Sequence, residues 1–330
     1  YPMITPSPSP SPSRTHCRRL FFASAVLWAA AAAAQLPDTN ALPDNPGTGP
    51  DPAMKEEVAS LPNHVVYRPR DLAALGGRKL GVVAWGNGGC SDDGASTRFP
   101  LLELASHGYL VIASGHILSG PGAPPRPAAA PAARPDSAPA AAGGPRQFPP
   151  PKTKASDLNA AIDWALTENR RQGSAYFGRI DPKQIAVAGW SCGGLQALIA
   201  AQDPRVRTAV LQNTGIFNTG PSAIPGMDLA KSELRKLHTP VLYILGGPTD
   251  IAYANGMDDF KRINHVPVAV ANIATGHGGT YFQPNGGPVA SVVVSWLQWQ
   301  LRGDKQAAAR FIGRDCGLCK DPSWTLQKKR

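Results

Sequence analysis

A serine stands among glycines in Gly189-Trp190-Ser191-Cys192-Gly193, directly behind the apolar run 184–188 and ahead of the helix-like stretch 195–201. A strand-to-helix turn this tight exposes the serine hydroxyl for nucleophilic attack, provided its neighbours lack side chains that would clash. Gly189, Gly193 and Gly194 provide that room. The first free N–H groups of the new helix face the same point, so a negative charge forming there meets donors already in place. A serine hydroxyl is a weak nucleophile at neutral pH. It needs a base to take its proton and a carboxylate to orient that base.

Both partners follow downstream in the order Ser, Asp, His. The strand-like run 240–247 leads into Pro248-Thr249-Asp250; a helical pattern over 254–263 and a second strand over 267–275 then lead into Gly276-His277-Gly278-Gly279. Open α/β sheets place their ligand crevice beyond the carboxyl ends of the strands, so Ser191, Asp250 and His277 are expected to converge there. The plainer readings are a helix N-cap for Asp250 and a loop histidine for His277. Among rival carboxylates, Asp228, Asp258 and Asp259 fall in or at the start of helical patterns, and Asp203 precedes Pro204 at a helix end. His116 also ends a strand, 109–115, but comes before the nucleophile.

An oxyanion needs a second backbone donor, normally from a loop after an earlier strand. Residues 79–85 read as that strand and Gly86-Asn87-Gly88-Gly89-Cys90 as its loop. The N–H of Asn87 is the first choice and that of Gly88 the second, paired with the N–H of Cys192. The spacing matches neither phosphate-binding glycine motif. Trp190, Trp85 and Ile251 are candidates for the apolar wall of a cleft. Core burial is the alternative for all three.

Strands and helices alternate from residue 54 to about residue 303, which predicts an α/β fold with a mostly parallel sheet. Ahead of it, Arg14, Arg18 and Arg19 precede a short apolar stretch and an alanine run ending at Ala34. That pattern reads as a signal peptide within an extension over 1–34, and the apolar part is shorter than the roughly 18 to 20 residues of a membrane span. Residues 35–54 read as an unstructured leader and 55–330 as one catalytic domain. An Ala/Pro-rich insertion over 119–151 has almost nothing to bury and is expected to be disordered.

These features resemble the α/β-hydrolase superfamily, and within it the esterases related to dienelactone hydrolases and cutinase-like polyester hydrolases. The resemblance rests on Trp85-Gly86-Asn87-Gly88, the stretch 104–112, the elbow 189–194, Asp250 and His277, and spans about residues 60–300. It implies hydrolysis of carboxylic esters through an acyl-enzyme, with Ser191 as nucleophile, His277 as base then acid, and Asp250 as orienting carboxylate, without metal or organic cofactor. Asn87 and Cys192 stand where the polyester hydrolases commonly carry an aromatic residue and Met or Gln. A peptidase of the same superfamily and a binding protein that kept only the fold are the alternatives.

Four cysteines lie beyond the leader, and disulfides suit an exported protein, secreted or periplasmic. Cys90 in the oxyanion loop and Cys192 beside the nucleophile are candidates for one bridge, two free thiols being the alternative. Cys316-Gly-Leu-Cys319 is read as a local bridge that pins the tail rather than as a zinc or redox motif. The net charge is +10, and removing 1–34 takes away three arginines and no acid, leaving +7. The basic residues are scattered apart from Lys328 to Arg330, with no nucleic-acid motif, so the expected partner is a small or polymeric ester, taken by a monomer without stable membrane insertion.

Overall fold

The computed structural model describes residues 39–125, 149–220 and 222–329. The chain first lays down two antiparallel strands, β1 (Ala53–Glu57) and β2 (His64–Pro69), at one edge of a sheet. The parallel body follows: β3 (Leu80–Gly86), α1 (Arg98–Ser106), β4 (Tyr109–Ser114), α2 (Ala155–Glu168), β5 (Ile180–Trp190), α3 (Cys192–Ala200), β6 (Thr208–Gln212), β7 (Val241–Leu245), α4 (Tyr253–Arg262) and β8 (Val268–Ile273). Helix α5 (Gly287–Arg302), short helices α6 (Lys305–Ala308) and α7 (Gly317–Lys320), and a final strand β9 (Trp324–Lys329) close the chain.

The nine strands among the described residues form one sheet in the order β1-β2-β4-β3-β5-β6-β7-β8-β9. Strands β4, β3, β5, β6, β7 and β8 pair in parallel, and β1, β2 and β9 run antiparallel at the edges. Strands β3, β4, β6, β7 and β8 are buried along their whole length, as a parallel sheet covered on both faces requires. Two apolar layers do the covering. One packs α2 and α3 through Leu158, Ile162, Leu195 and Leu198; the other packs α1 and α5 through Leu101, Leu104, Val289, Val292, Val293, Trp296 and Leu297. The α5 residues recur at the three- and four-residue spacing that puts them on one helix face. This is the mostly parallel α/β sheet expected from the alternation, in the α/β-hydrolase arrangement that the resemblance implies.

The leader departs from expectation. Residues 39–54 are packed, not unstructured: both oxygens of the Asp51 carboxylate accept from the Arg78 guanidinium at 2.6 and 2.7 Å, Asp44 pairs with Lys55, and the Thr48 N–H donates to Glu103 at 2.8 Å. Backbone contacts add to these, with the Gly49 N–H on the Ser106 hydroxyl and the Asp51 N–H on the Ser106 carbonyl. A segment poor in apolar side chains is held here by charge-assisted and backbone hydrogen bonds, which composition does not register. The expected signal peptide over 1–34 lies outside the described residues, as do 126–148 of the insertion. The described flank after the insertion is tied down: the N–H groups of Lys152 and Thr153 both donate to the Cys90 carbonyl. Among the described residues no helix is long and apolar enough to cross a membrane.

Candidate active site

Register in the sheet brings the site together. Gly86 pairs with Gly189 and Trp190 with Gln212, so the ends of β3, β5 and β6 lie side by side, with β7 and β8 continuing the row. Ser191 leaves β5 at φ +55° and ψ −121° and caps α3. A backbone held there by a non-glycine residue is strained, and strain of this kind persists only where the surroundings fix it. They do so through the Ser191 N–H, which donates to the Gln212 carbonyl at 2.9 Å, and the Ser191 carbonyl, which accepts from the Thr214 hydroxyl at 2.7 Å. Gly193 has no alternative, since any Cβ would run into the Gly86 backbone.

From the serine a single hydrogen-bonded path crosses the cleft. His277 Nε2 lies 2.9 Å from Ser191 Oγ, and His277 Nδ1 lies 2.7 Å from Asp250 Oδ1. An ionised carboxylate only accepts, so the proton belongs on Nδ1 and leaves the Nε2 lone pair facing the serine hydroxyl. The Asp250 side chain is fully buried and its oxygens are saturated: Oδ1 also accepts from the Ala252 N–H at 2.9 Å, and Oδ2 from the Gly246 N–H at 2.9 Å and the Asn213 amide at 2.8 Å. Burial works to raise its pKa. The bonds from His277, from the Ala252 and Gly246 backbone and from Asn213 outweigh burial and hold the carboxyl below the usual carboxylate range.

The rival carboxylates are engaged elsewhere. Asp203 pairs with Arg205, Asp258 with Arg262 and Lys231, and Asp228 accepts from the Ser222 N–H. Asp259 is buried against Lys231 and accepts the Ile216 N–H at 2.8 Å, which anchors the loop after β6. His116 lies near Glu57, away from the serine.

Two cavities meet at Ser191, Cys192 and His277. The larger, about 280 Å³, is walled by Leu195, Phe217, Ile224, Ile251 and Asn255; the smaller, about 200 Å³, by Gly88, Gly89, Trp190 and Ile224. Ile251 forms an exposed lip at 59 % accessibility. Trp190 is half-buried, donates its indole N–H to the His277 carbonyl at 3.0 Å, and packs on Tyr281 with ring centroids 4.8 Å apart. Trp85 is a different case: it is 1 % exposed in the layer under α1 and α5, so it belongs to the core and not to the cleft. Its β3 position points to the face opposite the elbow, a choice set by the pleat.

The candidate donors of the loop 86–90 sit differently relative to the cleft. Asn87 is wholly buried and does not line either cavity; its amide donates to the carbonyls of Ser91 at 2.9 Å and Ser114 at 2.6 Å. Gly88 and Gly89 are the loop residues that line the cleft, and the missing side chain of Gly88 leaves space that the Trp190 ring occupies. Cys90 and Cys192 are bridged with Cα atoms 5.2 Å apart, which joins this loop covalently to the residue after the serine. Cys316 and Cys319 form the second bridge, just before β9.

Sequence reading missed Asn213. It directly follows β6 at the carboxyl edge, the same placement that singled out Asp250 and His277, so the signal was present.

Residues 145–314 match the PET hydrolase-like family, a span that holds Ser191, Asp250 and His277 and leaves out the loop 86–90. No curated protein matches the chain. With half of its length inside that match and an α/β-hydrolase sheet around it, the chain belongs to the PET hydrolase-like family, in the cutinase and dienelactone-hydrolase branch, and is a carboxylic ester hydrolase.

Proposed function

We propose that the protein cleaves carboxylic esters through an acyl-enzyme formed on Ser191. The reading is carried by the unbroken path from Ser191 Oγ to His277 at 2.9 Å and from His277 to Asp250 at 2.7 Å. His277 Nε2 takes the serine proton as Oγ attacks the ester carbonyl, and Asp250 stabilises the imidazolium that forms. The backbone N–H groups of Cys192, at the start of α3, and of Gly88 hold the oxyanion. His277 then protonates the departing alcohol. Water, deprotonated by the same imidazole, attacks the acyl-enzyme and releases the acid.

The apolar walls of the larger cavity, with Ile251 exposed at 59 % at its lip, favour an ester whose acyl or alcohol part is apolar, including a polymeric one. Export to an oxidising compartment is part of the proposal, supported by the two bridges and by the arginine-led apolar stretch 14–34. Turnover of p-nitrophenyl acetate and butyrate, with a peptide p-nitroanilide and an aromatic polyester film alongside, tests the chemistry. Ser191→Ala is expected to lower kcat on the esters by about 10⁴-fold or more. Equal rates in the two proteins would remove the reading, and faster cleavage of the anilide would make it a peptidase.

A further inference from the structure

Asn213 occupies the one place in the site where three separate demands coincide. Its backbone sits at φ +45°, a left-handed conformation that asparagine adopts far more readily than most residues. Its N–H donates to the Ile244 carbonyl at 2.7 Å, which fixes it against β7. Its side-chain nitrogen faces two acceptors, Asp250 Oδ2 at 2.8 Å and the Gly276 carbonyl at 3.1 Å. Neither of those groups can donate, so the amide nitrogen must point toward them and the amide oxygen away. The oxygen lands 2.6 Å from the Tyr281 hydroxyl, which is therefore the donor in that bond.

We infer that Asn213, oriented by Tyr281, is a positioning residue for hydrolysis: it sets the distance and angle between the Asp250 carboxylate and the loop that carries His277. One amide nitrogen grips both halves of the acid–base pair, the carboxylate itself and the carbonyl of the residue just before the histidine. Tyr281 fixes which end of the amide does the gripping. Tyr281 is buried and its ring lies against Trp190, whose indole N–H holds the His277 carbonyl, so the same aromatic pair braces the loop from its other side. Aspartate at 213 would set an acceptor against two acceptors. Glutamine would be a methylene too long, and alanine would leave the Oδ2 and Gly276 oxygens with fewer donors.

The titratable groups that face Asn213 are Asp250 and Tyr281, with His277 one hydrogen bond beyond. Removing the amide takes a donor from the ionised carboxylate and makes it more basic. A carboxylate that takes up its proton more readily loses its hold on the Nδ1 proton of His277 at a higher pH, so the acid limb of the rate moves up.

This inference rests on the ester-hydrolase reading above, and its test separates the two. Steady-state rates on p-nitrophenyl butyrate are measured across about pH 5 to 9 for the wild type, Ser191→Ala, Asn213→Ala and Tyr281→Phe. Asn213→Ala is expected to lower kcat by about 10- to 100-fold with KM within about twofold, and to move the acid limb of kcat/KM up by about half a pH unit. Tyr281→Phe, which keeps the ring and removes only the hydroxyl, is expected to lower kcat by about 3- to 10-fold with a smaller shift the same way. A kcat within about twofold of wild type and an unmoved limb would overturn the proposal, as would a loss of rate that follows a fall in Tm with the limb in place. Where Asn213→Ala does not fold, Tyr281→Phe decides by the same two readouts. A wild type no faster than Ser191→Ala overturns the ester reading and this inference with it, whereas a fast wild type beside an unaffected Asn213→Ala overturns this inference alone.

Discussion

On the side of the proposed nucleophile, Ser191 and Cys192 are tied to the loop 86–90 by a covalent bond between Cys90 and Cys192. On the side of the proposed acid–base pair, Asp250 and His277 are tied to β6, β7 and the Trp190 ring by hydrogen bonds from Asn213, Gly246, Ala252 and the indole. The two arrangements answer different needs. An oxyanion donor must stay put while charge develops beside it, and a cross-link resists displacement without presenting any titratable group to the developing charge. An acid–base pair must pass a proton twice in each turnover, so its carboxylate needs donors that hold its charge without fixing the imidazole rigidly. The nucleophile side should therefore respond to reductant and the acid–base side to acid.

The largest effect is expected from breaking the covalent tie. In the chain-entropy view, a bridge closing a loop of 102 residues stabilises the fold by about 4.7 kcal/mol, and misplacing one oxyanion donor costs up to about 10²-fold in kcat. The double variant Cys90→Ser/Cys192→Ser is expected to lose both stability and kcat, with KM little changed, measured by denaturant midpoint and by initial rates. Retained kcat in a folded double variant would mean that the backbone bonds from Lys152 and Thr153 to Cys90 hold the loop on their own.

Acid gives the intermediate effect, and its sign follows from Asp250. The folded carboxyl binds its proton less readily than the unfolded one, so stability rises with pH between the two values. The contribution is complete above the unfolded carboxylate range and is lost as pH falls through the lower, folded value. Asp250→Asn is expected to flatten that acid dependence in urea midpoints taken across about pH 2 to 6, while reductant leaves the difference between the two proteins unchanged.

The smallest effect belongs to the other bridge. Cys316 and Cys319 are 3 residues apart, and closing so short a loop is worth about 1.6 kcal/mol by the same argument. Cys316→Ser/Cys319→Ser is expected to lower Tm by a few degrees and to leave kcat unchanged, because the bridge steadies the approach to β9 at the far edge of the sheet. A fall in kcat would show that this edge reaches the site through β8 and the His277 loop.

What the sequence determined on its own was whatever follows from local rules. Glycine spacing around Ser191 marked the elbow, post-strand placement marked Asp250 and His277, and alternation of element types gave a mostly parallel sheet. These are short-range signals, since the chain within a few residues of each position decides them. The tertiary structure decided what depends on which face or which neighbour a residue meets. The pleat of β3 sends Trp85 to the core, the packing of Trp190 on the loop leaves Gly88 and not Asn87 in the cleft, and polar tethers to Arg78 and Glu103 order a leader that composition reads as loose. Asn213 belongs to this second group. Its local setting was visible beside β6, but its partners Asp250, Gly276 and Tyr281 lie 37, 63 and 68 residues away. A hydrogen-bond network closed across such distances exists only when strands from separate parts of the chain have been brought into register, and no window of sequence contains it.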